Sequence, residues 1–451
     1  MEEQSPSSAT TPSKPLKHGD DYPSPAYAWF TVFFLLVIYT VSFVDRQILS
    51  LLARPIMADF DIDKKQFGLL TGLAFVAFYA TFGLFCARIA DTKSRKGLIA
   101  VGLFLWSLMT TTSAFARSFF QLFLMRMGVG VGEAALAPAA SSMIADSFPK
   151  ERLGLALSVY TTGVPVGGGL AFIFGAYVIE WASHLPPIPA MGGEMMADWQ
   201  KVFLLVGLPG ILLAFLMIFL KEPSRKGLQH KAGQAVPLRE VWNQYKKYAK
   251  AYNAAILGLA GAGTLSFGII SFIAIFTEDV HGIAASDMGK TYGIILMISG
   301  VTGLILGGWI SDKLMAQGKK DAPLIAMMLA PLGYFIPSLA FPLVDNVTMM
   351  WVFLGIHSCF INLSTGVGYA AINIITPNEM RGQFTALFVM IVALLGAGLG
   401  PFLSGWFSTD FFTSDDGIRY AFVALSLLTT PLTILILQLG RKQFIQAQKD
   451  Q

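Results

Sequence analysis

Residues 66–97, QFGLLTGLAFVAFYATFGLFCARIADTKSRKG, join an uncharged apolar run to a loop holding Arg88, Asp91, Lys93, Arg95 and Lys96. At 1.5 Å per residue a helix over 66–88 crosses about 30 Å of hydrocarbon, and the charges that follow stop it at the headgroups. Eleven further apolar segments are predicted at 28–53, 97–116, 119–144, 152–179, 201–220, 252–277, 287–311, 323–343, 348–374, 382–407 and 418–440. The 451 residues are 54% hydrophobic and only 13% charged, where a soluble domain carries about 25% charged residues. Alternating amphiphilic strands are absent, so helices rather than a barrel must satisfy the backbone in lipid. The expected fold class is an all-α membrane protein with twelve transmembrane helices in two six-helix bundles.

The hydrophilic stretches set the domain boundaries. Residues 1–27 are rich in Ser, Pro and Thr without an apolar core, and read as a disordered cytoplasmic tail rather than a signal peptide. Bundles at 28–220 and 252–440 flank the linker 221–251, and 441–451 form a second cytoplasmic tail. From Pro237 the linker reads as a basic amphipathic helix lying at the headgroups. With both termini on one side, that side holds 23 of the 32 Lys and Arg, which marks it as the cytoplasm. The expected location is the cell membrane, the inner one in a Gram-negative bacterium. Cys86 and Cys359 lie in apolar runs as small buried hydrophobes, and the five histidines lack ligand spacing, so neither metal nor cofactor is expected.

The two halves echo each other. Asp91 follows the second segment, and Asp312, in GGWISDKL, follows the eighth. SFPKERLG follows the fourth segment and TPNEMRGQ the tenth, each with a Pro, a Glu, an Arg and a Gly at the mouth of the next helix. Repeats at matching ordinal positions imply duplicated bundles about an axis along the membrane normal, with a site between them.

Four charges interrupt the apolar segments: Asp45 and Arg46 in the first, Arg126 and Glu133 in the fourth. A charge at mid-membrane costs about 2.5–3.5 kcal/mol on insertion scales, so these residues face a protein interior or a wet cavity. Arg126 and Glu133, seven apart, share a helix face about 10.5 Å apart, too far for direct contact. Between them Gly128, Gly130 and Gly132 let a neighbour, plausibly the first helix, approach closely. Asp45 and Arg46 point about 100° apart, so one meets the fourth-helix charges while the other opens to the cavity. Lipid penalises the charge on Glu133 and a nearby arginine would stabilise it; a carboxyl balanced in this way can alternate between protonated and charged forms. A permanent ion-pair network holding two helices together is the competing reading, weakened because buried pairs stabilise poorly compared with apolar packing.

The chain resembles the major facilitator superfamily over nearly its whole length. The loop from Ala87 to Lys96 is similar to the signature between its second and third helices, with Ala87 and Ser94 in places where Gly is usual. That resemblance implies that Asp91 faces the N-terminus of the eleventh helix, that Arg95 pairs with Asp146, and that Asp91, Arg95, Asp146 and Asp312 gate the cytoplasmic side. Within the superfamily, VDRQILSLLARPI and LMRMGVGVGEAALAPAASSMIADSFP resemble the spinster branch, which includes eukaryotic carriers of lysophospholipids and sphingosine 1-phosphate. This branch implies Asp45 and Glu133 as proton sites and Arg46 as the residue that meets an anionic head or switches partners with them; Arg126 is a further substrate-binding candidate that reads equally well as structural. TTGVPVGGGLAF in the fifth segment resembles a motif of exporters and reads equally well as tight helix packing.

In the second half only His357, Asn362, Tyr369, Thr264, Ser266 and Ser271 stand out as polar, and most are expected to bond neighbouring helices. A charged first half facing an apolar second half suits an amphiphile with an anionic head and a greasy tail better than a sugar. The expected function is therefore a proton-coupled, alternating-access carrier of an amphipathic anion such as a lysophospholipid or sphingolipid-like molecule. The expected partners are that lipid or small-molecule substrate, protons and the bilayer; the chain is expected to be a monomer and to bind no nucleic acid. A proton-linked carrier of small organic anions or drugs is the first alternative, and a non-transporting membrane sensor the second. No nucleophile–base pair, phosphate loop or nucleotide motif is present, so neither enzyme chemistry nor drive by ATP is expected.

Overall fold

The computed structural model describes residues 22–190, 194–225 and 237–450. Among them the regular structure is helical, apart from one isolated antiparallel bridge between Pro189 and Met195. Twelve long helices run in order: α1 (Pro25–Leu51), α2 (Lys64–Thr92), α3 (Arg95–Ser113), α4 (Phe119–Ser147), α5 (Arg152–His184), α6 (Asp198–Phe219), α7 (Ala249–His281), α8 (Ala285–Ala316), α9 (Ala322–Ala340), α10 (Val347–Ile374), α11 (Gln383–Phe411) and α12 (Gly417–Lys449). Eleven are long and apolar enough to cross a membrane; α3 is diluted by Arg95 and Lys96 in its first turn and by Thr and Ser in its last. The first helix starts at Pro25, inside the stretch expected as a tail, because Ser24 caps it and Pro25 sits where a missing N–H costs nothing. Residues 1–21 of that tail and 226–236 of the linker lie outside the described residues. Beyond them the short helix Leu238–Lys247 stands where the sequence placed a surface helix.

Prolines break the long helices at functional depth. Pro55, Pro138 and Pro165 each lack an N–H and crowd the carbonyl four residues back, and the helix interrupts at Leu52, at Ala134–Ala135 and at Thr162 respectively. In α11 the turn before Pro401 widens into a π-helix over Leu394–Leu399. The break in α4 falls immediately after Glu133, which therefore closes the first half of that helix.

Packing divides the molecule along its long axis. At the end away from the termini one apolar core crosses both halves, running from Leu49, Phe67 and Phe172 to Phe272, Tyr292 and Phe422. Toward the terminal end the cores are separate: Leu103, Trp106 and Met143 anchor the first half, and Tyr252, Met327 and Phe384 the second. Two glycine seams tighten the far end. A Cβ on Gly68 of α2 would lie 2.4 Å from the Pro401 carbonyl oxygen of α11, and one on Gly293 of α8 would lie 2.4 Å from the Gly169 carbonyl oxygen of α5. The exporter-like glycine run of the fifth segment thus serves as a packing surface. The halves are sealed at the far end and part toward the termini.

Candidate functional site

The four intramembrane charges converge between α1 and α4, although the glycine stripe of α4 receives α2 and α3 rather than the first helix: Gly130 packs on the Phe75 backbone and Gly132 on Gly102 and Trp106. The Arg46 Nε–H donates to Glu133 Oε2 at 2.6 Å. Its guanidinium lies over the rings of Phe75 (4.7 Å), Tyr79 (4.9 Å) and Phe43 (5.4 Å), a cation–π cage. The Arg46 side chain keeps 25% exposure, while that of Glu133 has none. Glu133 Oε1 has no hydrogen-bond partner. Asp45 is fully buried, and its carboxyl is turned toward the Trp106 indole N–H and the Thr110 hydroxyl of α3. Arg126, 2% exposed, donates from Nη1 to the Asp45 backbone carbonyl at 3.1 Å and leaves Nε unpaired. The expected division holds in part: Asp45 turns inward, but Arg46 both meets α4 and opens to the cavity.

That cavity measures about 330 Å³ and lies between the halves. Arg46, Arg126, Gln47, Ser50 and Tyr79 line it from the first half; Asp45 and Glu133 stand behind this lining. From the second half come His357, Ser358, Asn362, Tyr369, Ser266 and Ser271. The second half is thus free of charge at the cavity but not apolar, which corrects the contrast drawn from sequence. The sequence reading missed this because it assigned these side chains to helix–helix bonds. Thr264 does make such a bond, donating to the Leu395 carbonyl of α11 as well as to the Ala260 carbonyl of its own helix.

The cavity is shut at the far end by charges that the sequence offered only as loop residues. Arg54 pairs with Glu278 (3.2 Å) and Asp279, Lys64 with Asp279 (3.7 Å), Lys65 with Asp410 (2.8 Å) and Lys290 with Glu180. Every one of these pairs joins the first half to the second. The partners lie more than a hundred residues apart, so local spacing gave no signal.

At the terminal end the charges bind within one half. Arg95, buried at the start of α3, pairs with Asp146 and donates to the Ser142 carbonyl and hydroxyl, to Glu222 and to the Pro223 carbonyl. The Glu222 carboxylate also takes the Arg95 backbone N–H at 2.8 Å and the Ser94 hydroxyl. Partial burial works against the Glu222 charge, but these hydrogen bonds outweigh it and hold the carboxyl below its usual range. Ser94, standing where the related signature has Gly, caps α3 by accepting the Gly97 N–H at 3.0 Å. Arg225 closes over the end of α2, donating to the carbonyls of Ala90, Asp91 and Lys93. Asp91 and Asp312 are exposed. In this conformation the Asp91 carboxylate makes no hydrogen bond to α11 among the described residues. Glu222 and Arg225 escaped the sequence reading; their signal was an acid and a base directly after α6, opposite a strongly basic loop.

Comparison with known proteins follows the geometry. The sequence profile of the Major Facilitator Superfamily matches residues 35–360. The chain is 28% identical over 421 residues to an MFS-type efflux pump of Mycolicibacterium smegmatis, covering 93% of this chain and 92% of that protein. It is 25% identical to Protein spinster of Drosophila melanogaster, covering 84% of this chain and 61% of the fly protein. Crystal structures of a bacterial homologue of the human lysosomal transporter Spinster, inward-facing and either unoccupied or occupied, superpose with a TM-score of 0.77 at 27% identity, over 95% of this chain and 98% of that one. Proteins of this kind are transporters rather than enzymes. The chain belongs to the Major Facilitator Superfamily and is a transporter of its spinster-like type.

Proposed function

We propose that this transporter couples the movement of an amphipathic anion, of lysophospholipid or sphingolipid-like chemistry, to protons carried by Asp45 and Glu133. The observation that carries the reading is the Arg46–Glu133 pair at the cavity wall, backed by the enclosed Asp45 carboxyl, which closes no salt bridge among the described residues. Such a carboxyl is neutralised either by a cation or by a proton. Protonating Glu133 would remove the charge that holds Arg46 and free the guanidinium for an anionic head; Arg126, on the same wall, would share that head. Deprotonation after reorientation would recapture Arg46 and expel the substrate. The apolar rings beside Arg46 suit the adjoining acyl chain.

In this reading both termini are cytoplasmic and the far-end seal is the closed outer gate of an inward-facing monomer. Asp91, Arg95, Asp146 and Asp312 would then act at the cytoplasmic gate, Asp91 reaching α11 only once that side closes. The likeness to an efflux pump favours one second reading, proton-linked export of drugs or small organic anions.

Reconstitution in liposomes separates the two. Under an imposed pH gradient the protein is expected to accumulate a fluorescent lysophospholipid, measured by back-extraction to albumin. Accumulation of a small carboxylate or dye with no lysophospholipid flux would establish the second reading instead, and ligand binding without any flux would leave only a sensor.

A further inference from the structure

Among the described residues His357 is the one imidazole on the cavity wall, and it is poorly served by the protein. It is 2% exposed, and its Nδ1 has no hydrogen-bond partner. The ring is fixed edge-on between Tyr334 (5.7 Å between centroids) and Phe341 (6.0 Å). A phenyl group would serve that packing equally well and would bury no unpaired nitrogen. Five residues further along the same helix, about 1.4 turns, Asn362 lines the cavity from the other flank of that helix face; it donates its amide N–H to the Ser358 carbonyl at 2.9 Å and keeps Oδ1 as an acceptor. Both residues belong to the half opposite Arg46 and Arg126, and both line the same space.

A neutral imidazole offers one donor and one acceptor, and the amide oxygen offers another acceptor. The group complementary to that set is a hydroxyl, which accepts from one partner while donating to the other. A second anion would find no positive charge on this wall, and a hydrocarbon would leave the nitrogen unpaired. We infer that His357 and Asn362 form an uncharged subsite that selects substrates bearing a hydroxyl next to the anionic head. This rests on the amphipathic-anion reading above and adds to it the residues that set head-group selectivity.

The test compares two probes on the purified full chain: a single-chain lysophosphatidic acid with its free hydroxyl, and the deoxy analogue with the same acyl chain and phosphate. Affinities are read by ligand-induced thermal shift and by competition with a fluorescent lysolipid. The wild type is expected to favour the hydroxylated probe by about tenfold, the worth of one net hydrogen bond. His357→Leu is expected to bring the two within about twofold by weakening the hydroxylated probe more than the deoxy one, and His357→Gln, which keeps a donor and an acceptor, to restore most of the preference. Asn362→Leu provides the same comparison if His357→Leu does not fold. A wild type indifferent to the hydroxyl, or a leucine variant that weakens both probes equally, overturns the subsite. A wild type that binds neither probe overturns the amphipathic-anion reading itself, a failure visible before any variant is made.

Discussion

Arg46 and Arg95 both pair with an acid of α4, yet one is loosely held and the other saturated. Arg95 is enclosed by Asp146, Glu222, the Ser142 carbonyl and hydroxyl and the Pro223 carbonyl. Arg46 has one carboxylate, three ring faces and an opening to the cavity. A fully satisfied arginine fixes a joint, because every alternative position loses several hydrogen bonds at once. An arginine held by a single acid can be released by one proton. Degree of satisfaction, more than burial, distinguishes the two pairs.

The sharpest way to break the contrast is to exchange each arginine for methionine. Arg46→Met is expected to reduce gradient-driven uptake to background in liposomes while lowering the thermal midpoint in detergent by no more than a few degrees. Arg95→Met should do the reverse in kind. It removes the guanidinium that ties Asp146, Glu222, Ser142 and Pro223 together, and lowers the midpoint by several degrees. Equal losses of stability in the two variants would dissolve the distinction.

The far end allows a third test. Gly68→Val would place a Cβ against the Pro401 carbonyl, which backbone cannot relieve, so the far-end seam should open. Spin labels on α2 and α11 are expected to show a longer far-end distance and a smaller terminal-end one; an unchanged distribution would mean that the seam does not set the conformation. The smallest effect concerns Glu222. Its carboxyl is held below the ordinary range, so its contribution to the clasp is complete above about pH 4.3 and is lost as the pH falls below that. The wild-type midpoint should therefore drop more steeply on acidification than that of Glu222→Gln, and parallel curves would remove Glu222 from the clasp.

Much of this was legible in the sequence. Apolar runs located the twelve long helices, eleven of them apolar enough to cross a membrane, and the four intramembrane charges pointed through their cost to the region where the structure gathers them. Arg95–Asp146 followed from resemblance. What could not be read was pairing across the halves. Arg54 with Asp279 and Lys65 with Asp410 depend on which end of the cavity is closed, and that is a property of a conformation, not of a segment. His357 was undervalued for a related reason: an apolar helix face does not reveal whether a polar side chain meets a neighbour or a cavity.

The central claim is that Asp45 and Glu133 are the groups that take up and give back protons. It is tested most directly by following protons with an indicator dye when a lysophospholipid is added to the purified protein in weak buffer. The account predicts ligand-linked proton exchange in the wild type and none in the Asp45→Asn, Glu133→Gln double variant, with ligand binding retained. Undiminished proton exchange in the double variant would contradict it.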